Sequence, residues 1–341
     1  SGKGVSRVSK RDHILVGLDI GTTKICAIVA EVPEEGPLNI IGVGSCPSRG
    51  LRKGVVVNIE STVESIKKAV EEAELMAAVQ INSVYTGIAG SHISGENLKG
   101  VVALKKQEVT RDDISRAVES ARTLAVIPHE RRILHVLPRE FMVDDQEGVR
   151  EPLGMSGNRL EVNVHVITGA VTSAQNIIKS VNRAGLDVVD IILQPLASSE
   201  AVLSAEEREL GVAMVDLGGG TTDLAIFLDG SIRHTAVLPI GGQNLTKDLA
   251  IGLLTSQTDA EKIKVQHGIA RTELVHGHQM VEVPSVGDRP PRQFTRRDIA
   301  EILEPRVEEM FDLVKREIVR AGYEGMLGAG VVITGGTSLL E

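Results

Sequence analysis

Two apolar runs, Ile14 to Ile20 and Ile25 to Glu31, open the patterned part of the chain around a polar turn, Gly21-Thr22-Thr23-Lys24. Continuous apolar runs of this length suit strands buried on both faces, and the glycine suits a tight hairpin. The same plan returns at Val212 to Leu217 and Leu224 to Asp229, around Gly218-Gly219-Gly220-Thr221-Thr222. Between the hairpins, residues 59–78 show a helical period in which Ile59, Val63, Ile66, Val70 and Ala73 share a face, with Ser61 and Glu64 as a capping pair. A second helix starts at Thr110 with Asp113 three residues on and carries Ile114, Ala117, Val118 and Ala121 as its stripe. Strand-like stretches follow at 132–143 and 160–168, separated by a turn-rich loop, EGVREPLGMSGN. Residues 91–169 thus predict a small α/β insertion of order βαββ.

Towards the end, Thr295 and Asp298 open a long helix with Ile302, Val307, Phe311, Val314 and Ile318 on one side. Pro305 inside it predicts a kink or restart, and Gly322 a cap at its end. Residues 265–294 are loop-rich, and a last apolar strand runs into Gly335 and Gly336 and the start of a helix. Gly241 and Gly242 open the helix before them.

The repeat of 14–32 at 212–230 bears on chemistry. A Gly/Thr hairpin tip turns several N–H groups and hydroxyls towards one point, a concavity for anions. The donors are Gly21, Thr22, Thr23 and the Lys24 ammonium in one copy, and Gly218, Gly219, Gly220, Thr221 and Thr222 in the other. Asp19 and Asp216 stand at equivalent strand ends. Carboxylates aimed at phosphate repel it unless a divalent cation lies between, and Mg²⁺ suits because it keeps its waters while bridging carboxylate to phosphate. A single hairpin of this kind is as readily only a turn; two with matched aspartates predict a nucleotide with Mg²⁺. The strand, Gly335-Gly336 and helix of VVITGGTSLLE would let a flat ligand approach the backbone.

Composition narrows the function. With 341 residues, 42% apolar and 24% charged, the chain is long enough for two lobes and ordinary for a globular protein. A net charge of −9 and 2% aromatics, with no Trp, give neither a positive field for nucleic acid nor stacking platforms. Nucleic acid is therefore not expected as a partner. Cys26 and Cys46 follow no metal spacing, and so few thiols point to a reducing, cytoplasmic setting. No run approaches the ~20 apolar residues of a membrane span, so membrane contact is expected to be peripheral.

In order, DIGTTK at 19–24, DLGGGTTD at 216–223 and TGGTS at 334–338 resemble the phosphate-one, phosphate-two and adenosine motifs of the actin, sugar kinase and heat-shock chaperone superfamily. Within it, SCPSRG at 45–50, INSVYTGIAGSHI at 81–93, AEKIKVQHG at 260–268 and VEVPSVGDRPPR at 281–292 are similar to the bacterial FtsA family, over nearly the whole chain. The resemblance implies an α/β, actin-like fold of two lobes with duplicated ribonuclease-H-like domains, ATP and Mg²⁺ between them, and the FtsA-type IC insertion in place of IB. Its subdomains would be IA (12–90 and 170–210), IC (91–169), IIA (211–243 and 306–341) and IIB (244–305), after a flexible 1–11.

By the same resemblance, ATP contacts would come from Asp19, Gly21, Thr22, Thr23, Lys24, Asp216, Gly218, Gly219, Gly220, Thr221, Thr222, Gly241, Gly242, Glu261, Lys264, Gly335, Gly336 and Ser338. Asp19 and Asp216 would hold Mg²⁺ through water, and Gln194 would position the attacking water. Plainer readings stand beside these: a buried, satisfied Gln194, turn-making glycines at 241 and 242, and an exposed Glu261–Lys264 ion pair. The implied function is an ATP-binding, filament-forming division adaptor with weak ATPase activity at most. It would grip the FtsZ C-terminal peptide through IIB, with Arg292, Arg296 and Arg306 as candidates against the alternative of a solvated helix face. It would also meet other division proteins through IC and act at the inner face of the membrane at the division site. The family's amphipathic membrane helix is expected to be absent from this chain. A small-molecule kinase on the same fold would need a catalytic base and its own substrate pocket, and an ATPase chaperone a peptide-binding domain; no stretch supplies either.

Overall fold

The structure, a computed structural model, describes residues 14–287 and 289–341; the N-terminal segment expected to be flexible lies outside the described residues. Along the chain come strands β1 (Ile14–Ile20), β2 (Lys24–Glu31), β3 (Asn39–Pro47), β4 (Leu51–Arg52) and β5 (Val55–Val56), helix α1 (Ile59–Ala77) and β6 (Ser83–Ile88). Next are β7 (Ser94–Ala103), α2 (Arg111–Leu124), β8 (Arg131–Val143), β9 (Gln146–Val149), β10 (Arg159–Ala170) and α3 (Val171–Arg183). The middle holds β11 (Asp187–Leu193), α4 (Gln194–Val202), α5 (Ala205–Leu210), β12 (Val212–Leu217), β13 (Thr222–Leu228) and β14 (Ser231–Leu238). The rest is α6 (Gly242–Gly252), α7 (Gln257–His267), β15 (Met280–Val283), β16 (Arg292–Thr295), α8 (Arg296–Arg320) and β17 (Gly330–Thr334).

Two compact units form: residues up to Ile88 with Thr172–Ile192, and Ala89–Val171 with Leu193–Glu341. In the first, the sheet order is β11-β6-β1-β2-β3. Strand β1 pairs antiparallel with β2, from Ile14 opposite Glu31 to Ile20 opposite Ile25, and parallel with β6. Helix α1 lies so close on β3 that a Cβ on Gly44 would overlap Ala69 O and one on Gly42 would come within 2.7 Å of Ala73 O. The helix buries Val63, Ile66, Val70 and Ala73, as its period predicts. Its start differs from expectation: Asn58, extended at φ −142°, accepts from Ser61 N at 3.0 Å, because the chain is already helical at Ile59.

In the second unit the core sheet runs β14-β13-β12-β17, with β12 antiparallel to β13 and parallel to β17. Val215, Leu217, Leu224 and Ile226 pack with Leu245 and Leu249 of α6 and Ile299, Leu303 and Val314 of α8. Thr295 and Asp298 form a capping box at the start of α8. Gly322, at φ +82°, closes its end, donating to Val319 O at 3.0 Å while Tyr323 N reaches Ile318 O at 3.2 Å. Of the kink or restart expected at Pro305, the restart does not occur: α8 is continuous through it. Pro305 and Glu301, whose carbonyl loses its donor, are both exposed, so water can take the missing donor's place.

Residues 89–171 form a third sheet, β7-β10-β8-β9, backed by α2. A Cβ on Gly100 would overlap Ala117 O, so glycine lets α2 reach the sheet. The Thr110–Asp113 capping box forms as expected, and the Thr110 hydroxyl and N–H, with Arg116, hold the Asp113 carboxyl down to about 2. Strand β9 lies where the sequence predicts loop; its Gln146, Glu147 and Gly148 carry no apolar alternation, and only pairing with β8 extends them.

Polar groups join this insert to β14. His165, 1% exposed, sits between Asn97 Oδ1 at 2.7 Å and Thr235 Oγ1 at 2.9 Å. Asn97 Nδ2 donates to Arg233 O at 3.1 Å and Ser231 Oγ to Arg139 O at 2.8 Å. Burial, helped by His234 and Arg139, pushes the His165 imidazole down to about 3. The unfolded chain takes up this proton below the ordinary value of 6.5 while the fold refuses it, so stability is whole above 6.5 and drains as pH falls towards 3. Between pH 7 and 5, urea unfolding is expected to show a loss of about 2 kcal/mol, with a shallower slope in His165→Asn.

Candidate functional site

The hairpin of β12 and β13 places Asp216, half-buried, opposite Asp223, and its tip is Gly218 to Thr221. Gly218 N donates to Asp216 O at 3.2 Å. The threonines face inward: Thr221 Oγ1 donates to Asp223 Oδ2 at 3.1 Å, and Thr222 Oγ1, fully buried, to Ile240 O at 2.9 Å. Their hydroxyls are thus spent on shaping the tip.

The N-terminus of α6 closes over that tip. Gly242 N reaches Gly218 O at 2.9 Å and Gln243 N reaches Gly219 O at 2.8 Å. A Cβ on Gly241 would lie 2.7 and 2.8 Å from the same two carbonyls, and one on Gly242 would overlap Thr337 Oγ1. Asn244 Oδ1 takes the N–H of Gly241 at 3.2 Å. Here Gly241 and Gly242 act as close-packing glycines that lock the hairpin tip.

Helix α7 brings Lys264 into the same place. Its ammonium donates to Gly242 O at 3.1 Å, Thr246 Oγ1 at 3.0 Å and Glu261 Oε2 at 2.7 Å, and the Thr246 hydroxyl also meets Glu261. The Glu261–Lys264 pair is thus joined through the buried Thr246 to the turn above the hairpin. Thr337 Oγ1 adds a bond to Gly218 O at 3.0 Å. Sequence reasoning passed over Thr246 and Thr337; the signal for Thr246 is its place one helical turn after Gly242.

Strand β17 runs beside β12, with Thr334 opposite Asp216, and delivers Gly335 against the carboxylate. Gly335 has φ +87°, and a Cβ there would overlap Asp216 Oδ1. Beyond it comes a short 3₁₀ turn, Gly336–Leu339, where the sequence predicts the start of a helix. Ser338 Oγ donates to Gly335 O at 2.7 Å, while a Cβ on the exposed Gly336 would point into open space.

In the first unit, the β1–β2 tip is tied by Gly21 N to Lys24 O at 3.0 Å. Thr22 is buried and accepts from Gly54 N at 2.9 Å; Asp19, Thr23 and Lys24 are exposed. Gln194 is the first residue of α4, one turn ahead of Ser198. Of the three arginines, Arg306 is forked onto Asp248 at 2.6 and 3.2 Å and also meets Glu309, and Arg296 is paired with Glu341. Arg292 donates to Leu253 O and stacks 5.4 Å over Phe294. It also lines a cavity of about 510 Å³ with Ala250, Leu254, Thr255, Val286 and Arg289.

The family model for the SHS2 domain inserted in FTSA matches residues 90–168, and that for cell division protein FtsA matches 213–341. Cell division protein FtsA of Pseudomonas aeruginosa is 53% identical over 328 residues, covering 96% of this chain and 78% of the relative. The chain belongs to the FtsA family of cell division proteins. FtsA of Escherichia coli K12 is 47% identical, covering 96% and 80%, and that of Bacillus subtilis 41%, covering 96% and 74%. Among solved structures, the PilM–PilN type IV pilus biogenesis complex matches with TM-score 0.66 at 17% identity, covering 95% of this chain and 82% of that one. MreB5 of Spiroplasma citri bound to ADP matches with TM-score 0.55 at 14% identity, covering 97% and 87%.

The fold is therefore actin-like with an FtsA-type insertion, and membership of the FtsA family gives the chain a role in cell division. Among the described residues no helix is long and apolar enough to cross a membrane, and no three His, Cys, Asp or Glu side chains gather to hold a metal by themselves. Asp216 beside a hairpin tip fits a hydrated Mg²⁺ that takes its other ligands from water and phosphate. The two glycines of the last turn differ testably. Gly335→Ala is expected to cost at least about 2 kcal/mol in urea unfolding, from a left-handed backbone and overlap with Asp216, and Gly336→Ala within about 0.5 kcal/mol of none.

Proposed function

We propose that this FtsA-family chain is an ATP-binding adaptor that self-assembles, docks the C-terminal peptide of FtsZ and meets other division proteins through its insert. One observation carries the reading. In the second unit the Gly218–Thr221 tip, Asp216, the Glu261–Lys264 pair and the Gly335–Gly336 turn are brought together where Gly241, Gly242 and Gly335 allow close approach. Phosphate would fit the tip through the backbone N–H groups of a Gly-rich turn. A flat base fits beside Gly336, where no side chain intrudes, and the ribose falls to Glu261 and Lys264.

Bound Mg²⁺ would offset phosphate charge and tie it through water to Asp216. Asp216 orients that cation, and Lys264 supplies a positive charge fixed by three acceptors. In the duplicated half, Gly21, Thr22, Thr23, Lys24 and Asp19 are the matching donors and carboxylate. Gln194, at the head of α4, is the group for aligning water in slow hydrolysis. The residue ranges for IA, IC, IIA and IIB are part of this proposal, as is action at the inner membrane face.

For the peptide, the cavity beside Arg292 suits an acidic, partly apolar chain: Ala250, Leu254 and Val286 give apolar wall, and Arg289 and Arg292 give charge. Arg306 and Arg296 are already neutralised by carboxylates of this chain, which leaves the arginines at 289 and 292 as the docking pair.

Calorimetric titration of the chain with ATP is expected to show binding strengthened by Mg²⁺. Asp216→Ala removes that Mg²⁺-dependent gain, about 10- to 100-fold, and Gly336→Ala weakens binding without loss of stability. An unchanged Mg²⁺ gain in Asp216→Ala rules out its role. Fluorescence anisotropy with the FtsZ C-terminal peptide is expected to show about tenfold weaker binding for Arg292→Glu; equal binding excludes this groove.

A further inference from the structure

Helix α4 carries a side chain that none of the nucleotide motifs contains. Ser198 lies one turn after Gln194, half-buried, and its Oγ donates to Asp216 Oδ2 at 2.7 Å. The other oxygen of the same carboxylate is flanked by the backbone of Gly335, where a Cβ would overlap Oδ1. Asp216 is therefore held at Oδ2 by a hydroxyl, while at Oδ1 the glycine leaves the space that a side chain would fill. The donor's own position is fixed: α4 packs on β12 and β13, and its neighbour Ser199, fully buried, is tied to Pro195 O at 2.6 Å.

A carboxylate that holds a cation only through water has no strong bond to set its rotamer. A donor on Oδ2 does so in advance and leaves Oδ1 directed past Gly335. Deleting the hydroxyl keeps the charge of Asp216 but frees the group to turn. We infer that Ser198 is a positioning residue for the Mg²⁺ of the bound nucleotide, acting through Asp216; this rests on the nucleotide reading above. Gln194 and Ser198, four residues apart on α4, then share one helix face, one serving the water and the other the cation.

ATP affinity measured in EDTA and in saturating Mg²⁺ on the wild-type chain, Ser198→Ala and Ser198→Thr tests this. The ratio of the two affinities isolates the cation's contribution, which a merely structural residue would not move. Ser198→Ala is expected to lower that ratio roughly tenfold with EDTA affinity unchanged, and Ser198→Thr, which keeps the hydroxyl, to restore most of it. An unchanged ratio in Ser198→Ala overturns the assignment, as does an equal loss with and without Mg²⁺. A wild-type chain that binds no ATP under either condition overturns the nucleotide reading and this assignment together.

Discussion

Close backbone approach at the tip of the β12–β13 hairpin is the constraint on which the site depends. The carbonyls of Gly218 and Gly219 receive the first two N–H groups of α6 and the Thr337 hydroxyl. Those bonds require glycine at 241, where a Cβ would hold the helix off the two carbonyls, while a Cβ at 242 would displace the Thr337 hydroxyl. Once α6 is seated, Gly242 O and Thr246 are in place to receive Lys264, and α7 is brought to the tip with it. Hydrogen bonds from the hairpin tip through α6 thus fix the position of Lys264 and Glu261 on α7, and a chain of fixed dipoles is already arranged before any ligand arrives.

A different physics joins the insert to the second core sheet. Where the cores are apolar, the joint is a network of Asn97, His165, Arg233 and Thr235, each with a partner. A buried network of this kind demands correct geometry, because an unpaired member would carry the full cost of its desolvation. It specifies one seating of the insert where apolar contact would tolerate several. Within the insert itself, the buried Glu161 of β10 is paired with Lys99 and Arg159.

The duplicated hairpins, the helical stripe of α1, the capping boxes of α2 and α8 and the glycine after α8 are legible in the sequence because each is set by neighbours within a few residues. Strand β9 was not legible, since Gln146-Glu147-Gly148 becomes a strand only through pairing with β8. Pro305 does not restart the helix, for a related reason: it and Glu301 are exposed, so water can serve the carbonyl that lacks its donor. Among site residues, Asp216, Lys264 and Gly335 stand in recognisable strings, but the hydroxyls of Ser198, Thr246 and Thr337 are ordinary until folding sets them beside a carboxylate, an ammonium or a carbonyl.

By itself the sequence determined the paired glycine-tipped hairpins, their aspartates and the family to which the chain belongs, all of which are written in short continuous runs. Tertiary structure alone decided which hydroxyls face inward, which arginines are already neutralised by carboxylates and which glycines serve packing. Those outcomes depend on atoms brought together from positions as far apart as 218 and 337, and hydrogen bonds and steric overlap act over a few ångströms, a range that spacing along the chain does not encode.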